Sequence, residues 1–210
     1  MSRNFTNGGS STDVVPMPKL RREDLYSLEH YAKIRSQFRA TVMKHKKNRQ
    51  VQIGPNATLS FEDRLTMHYQ VQEMLRAERI FEAEGIEQEI DAYNPLIPDG
   101  SNWKATFLLE YPDAEERRVA LERLKGIEDR VWARIEDFQP VYAIADEDLE
   151  RENEIKTSSV HFLRFQFDAL AIAAVKRGAD VRMGIDHGHY RYEVMLSAAV
   201  RDALAADLVG

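Results

Sequence analysis

Two histidines and a glutamate near the carboxyl end of the chain are the residues whose types and spacing could do chemistry. His187, His189 and Glu193 lie in the segment DHGHYRYE, residues 186–193. Because side chains two residues apart point to the same face of a β-strand, a strand here would place all three on one face. Two imidazoles and one carboxylate can ligate zinc, iron or manganese with positions left open. The pattern therefore predicts a divalent-metal site, as in a small metal-dependent enzyme or a metal sensor.

The same segment is compatible with a turn that binds no metal. Gly188 and the turn former Asp186 favour a glycine-bearing turn with exposed histidines. The chain contains no cysteine, so it cannot by itself hold an iron–sulfur cluster or a cysteine-ligated metal. A divalent ion at the two histidines and the glutamate is the cofactor that remains possible.

A second group of ionisable residues lies on a long helix that apolar spacing predicts over residues 62–92, and Gly85 could interrupt this helix. The predicted apolar face carries Met67, Val71, Met74, Leu75 and Phe81. Glu78 falls on the buried side of this helix, with Arg76 and Glu73 beside it. A carboxylate in apolar surroundings has a raised pKa and could act as a general acid. The alternative is a set of ion pairs at helical spacing, or one buried glutamate–arginine pair.

Two apolar residues stand between prolines just after this helix. The segment YNPLIPDG, residues 93–100, must leave the helix because its prolines cannot donate to a helical ladder. Leu96 and Ile97 lie between those prolines, and a rigid loop can present apolar side chains to a partner at low entropic cost. The pair is therefore a candidate docking loop, and the alternative is that both residues pack into the protein's own core.

A basic run, KHKKNR at residues 44–49, could bind an anion or RNA. No aromatic side chains for base stacking are interleaved with it. Cations at the carboxyl end of a helix offset the macrodipole without any ligand. Because the chain also has a net charge of −6, we expect no nucleic-acid binding.

The elements that would position these residues divide into a helical half and a sheet-containing half. Residues 1–18 predict a disordered tail, helical spacing starts near Arg22, and residues 50–61 predict a hairpin. Strands are predicted at 103–111, 131–135, 140–144, 160–167 and 181–196, with short helices after Asp113, Asp168 and Ser197. Residues 146–154 predict a solvated loop or a short helix. We therefore predict one α+β domain over residues 19–210. Its helical part, 19–93, has a long central helix, and its second part, 101–210, has a mixed, mainly antiparallel sheet with short helices.

Composition excludes several classes of protein. Apolar residues make up 43% of the 210 residues and charged residues 30%, which is typical of a globular domain. No apolar run approaches the roughly 20 residues that span a bilayer, and no apolar signal region follows the amino terminus. We expect a cytoplasmic protein that does not bind membranes.

Four stretches together resemble a known bacterial family. They are GPNATLSFE at residues 54–62, YQVQEMLRAERI at 69–80, DAYNPLIP at 91–98, and the late Asp186-His187 followed by Tyr190 and Arg191. Over about residues 20–208 the chain resembles the family called domain of unknown function 3501. Where the family pattern has a proline after Asp186-His187, this chain has Gly188 and then His189. A metal site that depends on His189 would therefore be a peculiarity of this member.

The resemblance implies a role but no catalytic residues. The family has no established activity, and its members are often encoded beside a rubrerythrin-like protein and an iron–sulfur oxidoreductase. It therefore implies a non-catalytic accessory or partner subunit of a redox system, docked on one of those two proteins. The alternative from the residues themselves is a metal-dependent enzyme or metal sensor that uses His187, His189 and Glu193.

Overall fold

The computed structural model describes residues 18–145 and 157–210. The predicted disordered tail, apart from Pro18, and the charged stretch at 146–154 lie outside these residues. Both therefore stay predictions.

Six α-helices and nine strands occur within the described residues. The helices are α1 (Leu28–Lys46), α2 (Arg64–Glu78), α3 (Ala83–Tyr93), α4 (Ala114–Arg123), α5 (Ala169–Lys176) and α6 (Ala198–Ala205). The strands are β1 (Gln50–Ile53), β2 (Ala57–Glu62), β3 (Asn102–Leu109), β4 (Val131–Ile135), β5 (Val141–Tyr142), β6 (Ile144–Ala145), β7 (Val160–Gln166), β8 (Val181–His187) and β9 (Tyr190–Met195). Short 3-10 turns occupy Arg22–Asp24, Asn94–Leu96 and Glu128–Arg130.

The strands form two antiparallel sheets. The first has the order β1-β2-β3-β7-β6 and the second the order β5-β4-β8-β9. This confirms the predicted α+β fold and its antiparallel character. The division into halves was wrong in one respect, because β2 pairs with β3 along its whole length. The hairpin of the amino-terminal half is therefore part of the first sheet, which is not confined to residues 101–210.

One apolar core lies between the two sheets. The first sheet contributes large side chains that are fully buried, and the second contributes aliphatic and methionine side chains and the ring of Tyr190. The members include Phe61, Trp103, Phe107 and Phe165 from the first sheet and Val131, Ile135, Met183, Ile185 and Tyr190 from the second. Alternation along each strand sends every second residue into this core and the others to the outer faces.

A five-residue segment carries the chain directly from one sheet to the other. Strand β5 pairs with β4 in the second sheet, and β6 pairs with β7 in the first. Only Ala143 separates them, and its N–H donates to the carbonyl of Val131 at 2.8 Å. The sequence predicted a single strand here.

A helical layer of α1, α2 and α3 has a second apolar cluster, which contacts the first sheet. Met67, Val71 and Leu75 of α2 pack with Ile90 of α3, and Phe162 of β7 packs against this cluster. Because Phe162 alternates with the core residues Leu163 and His161 along β7, it points to the outer face of the first sheet.

The predicted long central helix was wrong, because the chain leaves helical geometry after Glu78. Arg79 caps α2 in the left-handed region, at φ 56° and ψ 45°, and α3 begins only at Ala83. Phe81, predicted to be buried, is 63% exposed, and Met74 is only half-buried. Gly85, which predicted the interruption, lies inside α3 instead.

Side-chain caps set the starts of the helices. Asp113, Asp168 and Ser197 accept hydrogen bonds from the first-turn N–H groups of α4, α5 and α6, which confirms the predicted starts. Ser27 caps α1 in the same way, so this helix begins at Leu28. The start predicted near Arg22 was wrong, since residues 22–24 form a separate 3-10 turn.

Candidate functional site

The predicted metal ligands lie on two strands and the turn that joins them. His187 ends β8, His189 lies in the two-residue turn, and Glu193 lies on β9 opposite Gly184. The two imidazole rings are 5.8 Å apart, centroid to centroid. The prediction assumed one continuous strand, whereas the turn at Gly188 and His189 reverses the chain.

The contacts of these side chains leave no assembled metal site. The Nδ1 of His187 accepts from the N–H of His189 at 3.2 Å, so its Nε2 carries the proton and donates to the carbonyl of Lys125 at 3.2 Å. Glu193 forms an ion pair with Arg182 at 3.1 Å. Among the residues that the structure describes, no three histidine, aspartate or glutamate side chains are grouped to hold a metal. The predicted triad was therefore wrong as a single site.

The second predicted group separates into one half-buried ion pair and one exposed acid. The Glu73 carboxylate accepts two hydrogen bonds from Arg35 on α1, both at 2.7 Å, and one from the Tyr31 hydroxyl at 2.6 Å. Arg35 lowers the pKa of Glu73 to about 2, and Tyr31 adds to this effect. The Nε of Arg76 lies 3.7 Å from Oε1 of Glu73. Glu78 is exposed, so its prediction as a buried acid was wrong.

The predicted docking loop belongs to the core of the helical layer. Ile97 is 0% exposed and Leu96 is 9% exposed, and both pack with the apolar residues of α2. The 3-10 turn that contains Pro95 directs them inward. Leu96 and Ile97 therefore have a structural role, and the prediction of a docking surface was wrong.

A buried network of charged groups, which the sequence interpretation missed, is centred on Arg49. Its guanidinium contacts the Asp207 carboxylate closely and lies 3.5 Å from the Asp63 carboxylate. It also donates to the carbonyls of Phe61 and Glu62, both at 3.2 Å. Nε2 of His45 lies 2.5 Å from Asp63, at the edge of the network that solvent reaches. One signal was available, since Asp207 is the sole charged residue in the apolar stretch ALAADLVG.

The two carboxylates of this network have opposite pKa shifts. Burial raises the pKa of Asp207 to about 6, and Arg49 offsets only part of that rise. Burial would also raise the pKa of Asp63, but the charge of Arg49 and the N–H of Thr66 outweigh it and lower that pKa. The network therefore joins the end of the chain to α2 and β2 through one shared cation.

Protonation of Asp207 should stabilise the fold. With a pKa of about 6 when folded and an ordinary value of 3.8, this group binds a proton in the folded state that the unfolded state releases. Its contribution to the free energy of unfolding should rise by roughly 2 kcal/mol as the pH falls from about 7 to about 4. Asp207→Asn should remove this rise, as measured by urea unfolding at several pH values. Because the His45 imidazole contacts Asp63 in the same network, both proteins should be compared again with His45→Gln. Parallel stability curves for wild type and variant would contradict the prediction.

The outer face of the second sheet combines aromatic, apolar and charged side chains. We define this outer sheet face by Trp132, Arg134, Tyr142, Arg182, Gly184, Glu193 and Met195. The indole of Trp132 lies against Gly184, where an added Cβ would stand 2.3 Å from Cζ2. The guanidinium of Arg134 lies 5.5 Å from the centroid of the same ring. Glycine on the neighbouring strand thus leaves room for a flat tryptophan on the sheet.

Two exposed apolar side chains flank this stack. Tyr142 pairs with Trp132 across β5 and β4 and is 44% exposed, and Met195 at the other edge is 39% exposed. The ion pair of Arg182 with Glu193 lies between them. The geometry offers an aromatic and cationic surface, which suits the binding of a macromolecule.

Comparisons with known proteins give the family. The model of the family described as "Protein of unknown function (DUF3501)" matches residues 19–208. The chain belongs to this family. A crystal structure of a protein of unknown function from Burkholderia pseudomallei K96243 is 51% identical, covers 91% of this chain and 100% of its own, and superposes with a TM-score of 0.87. No curated protein matches the chain.

The DUF3501 assignment confirms the resemblance expected from the four sequence stretches. The match extends over both the helical layer and the two sheets, so the network at Arg49 and the outer sheet face both lie inside it. The family description names no activity, substrate or partner.

Within residues 18–145 and 157–210 of this DUF3501 protein, no helix combines the length and the apolar character that crossing a bilayer requires.

Proposed function

We propose that the protein is a non-catalytic accessory subunit that binds another protein on the outer sheet face. The observation that carries this proposal is the stack of Trp132 and Arg134 beside the exposed side chains of Tyr142 and Met195. Tryptophan, tyrosine, methionine and arginine are the residue types enriched at protein interfaces, and tryptophan, tyrosine and arginine dominate their binding energies. Here all four types lie on one sheet face.

The stack of Trp132 and Arg134 is preorganised for binding. Trp132 is 8% exposed because it lies flat between Gly184 and Arg134, so its ring loses little freedom on association. Tyr142 has two rotatable side-chain angles and adds apolar area beside it. A flat partner surface could cover the ring of Tyr142 and the guanidinium of Arg134 at low entropic cost.

The charges on this face favour a partner with an exposed carboxylate. Arg182 is paired with Glu193, and Arg191 is paired with Asp186 at 2.8 Å. Arg134 contacts the indole and has no carboxylate within ion-pair distance in the described part of the chain. A partner's carboxylate could bind the guanidinium edge while an apolar group covers Tyr142.

The expected partner is an iron–sulfur oxidoreductase or a rubrerythrin-like protein in the cytoplasm. The resemblance to the family implies these two classes through gene neighbourhood. Such a partner would supply all thiolate ligands, since this chain has no cysteine.

Co-expression with each candidate partner tests the proposal. We expect co-elution from a size-exclusion column, and we expect Arg134→Glu and Tyr142→Asp to reduce it without lowering the protein's own melting temperature. Val119→Asp is the matched control, since Val119 on α4 is 39% exposed and Tyr142 is 44% exposed. Separate elution of both folded wild-type proteins would contradict the choice of partner. Undiminished co-elution of both variants would contradict the choice of surface.

A further inference from the structure

An apolar groove lies in the helical layer and shares no residue with the outer sheet face. It has a volume of about 320 Å³ and is walled by the start of α1 on one side and the α2–α3 junction on the other. Its lining is mostly apolar, with one cation and one anion: Leu25, Tyr26, Leu28, Leu75, Ile80 and Ile86, with Arg22 and Glu29.

One wall of this groove is held rigidly. The side-chain amide of Gln72 bonds the backbone of Tyr26 in both directions, accepting from its N–H at 3.0 Å and donating to its carbonyl at 3.1 Å. The ring of Tyr26 stacks on His68 at 5.4 Å, centroid to centroid. The groove is therefore a preformed feature of the fold.

The other wall presents an exposed aromatic side chain at its edge. Phe81 lines the groove and is 63% exposed. The left-handed conformation of Arg79 is one that side chains rarely adopt, and it turns the chain between α2 and α3. Ile80 is turned inward against Gly85, whose hypothetical Cβ would stand 2.7 Å from Ile80 Cγ2. The strained junction thus holds Ile80 inside and Phe81 outside.

We propose that the groove receives Phe81 of a second copy of this chain, and that Phe81 of the first copy enters the groove of the second. Phe81 and the groove lie on the same surface patch, so the patch is self-complementary. A two-fold axis through it would place each Phe81 in the groove of the other subunit. A groove of about 320 Å³ accommodates an aromatic side chain. Phe81 thereby exchanges solvent for the apolar wall of the other subunit.

The charges that line the groove match the same symmetry. Arg22 and Glu29 have opposite signs, and within the described residues neither has an ion-pair partner within 4.0 Å, although Lys33 attracts the Glu29 carboxylate from farther away. A two-fold axis that crosses the groove brings Arg22 of one subunit towards Glu29 of the other, twice per dimer. This favours a second copy over a partner of uniform charge.

Sedimentation velocity over roughly 1–300 µM protein tests the proposal. We expect a concentration-dependent monomer–dimer equilibrium for the wild type, and Phe81→Asp should raise the dimer dissociation constant at least about tenfold. Leu170→Asp is the matched control, since Leu170 is 70% exposed on α5, outside the groove. It should leave the dissociation constant unchanged. Both variants should keep the wild-type melting temperature.

Charge reversal tests the pairing across the axis. Arg22→Glu and Glu29→Arg should each weaken the dimer, and the double variant should recover most of the loss. A wild type that stays monomeric over the whole range, or a dimer that Phe81→Asp and Leu170→Asp weaken equally, would overturn the proposal. The outer sheet face is untouched by these substitutions, so the outcome is independent of the proposed accessory function.

Discussion

Replacing Arg49 with methionine should lower the free energy of unfolding by about 3–5 kcal/mol, the largest effect expected of any single substitution of a charged residue here. Arg49 is 1% exposed and is the cation that Asp63 and Asp207 share. Without it the two carboxylates face each other in a site that solvent barely reaches. The carbonyls of Phe61 and Glu62 also lose their donor from this side chain.

Urea unfolding of Arg49→Met measures this effect. Arg39→Met, on the exposed side of α1, is the matched control and should change stability by less than about 0.5 kcal/mol. Adding Asp207→Asn to Arg49→Met should restore part of the loss, because it removes one of the two uncompensated charges. A variant at position 49 that unfolds like the control would show that the network contributes nothing to stability.

Ile97→Asp should lower the free energy of unfolding by about 4 kcal/mol or more, enough to prevent folding of a marginally stable domain. Ile97 is fully buried among the apolar side chains of the helical layer. The Lys19 amine is already bound by the backbone carbonyls of Asn94 and Ile97, so the aspartate carboxylate would lose its hydration in apolar surroundings.

Thermal unfolding followed by circular dichroism distinguishes the core role of Ile97 from the docking role that its sequence context predicted. Leu170→Asp makes the same kind of change at a position that is 70% exposed, and it should leave the melting temperature close to wild type. If Ile97→Asp melts like Leu170→Asp, the segment between the prolines is accessible and its assignment to the core is wrong.

Local patterns in the sequence predicted much of the fold because their causes are local. Alternation identified β7, and the caps Asp113, Asp168 and Ser197 identified three helix starts. The break after Glu78 was missed because Arg79 adopts a left-handed conformation that glycine or asparagine usually signals. Gly85, the expected breaker, instead makes room for Ile80.

The candidate sites were harder to predict because they depend on contacts between distant segments. Arg49 and Asp207 are 158 residues apart, and nothing in the basic run showed that its last residue turns inward. Trp132 and Gly184 form a surface only through the register of β4 with β8. The predicted metal triad was wrong for a similar reason, since the position of one turn decides which side chains share a face.

The direct passage of residues 141–145 between the sheets has a consequence for how the protein unfolds. Ala143 alone separates β5, an edge strand of the second sheet, from β6, an edge strand of the first. If either edge strand detaches, the other strand is displaced as well, because one residue cannot span the added distance. Amide protons of β4 and β7 should therefore exchange with deuterium through the same global opening, with equal protection and equal dependence on denaturant. The two sheets then form one kinetic unit, and a protease would find no loop between Val141 and Ala145 at which to divide them.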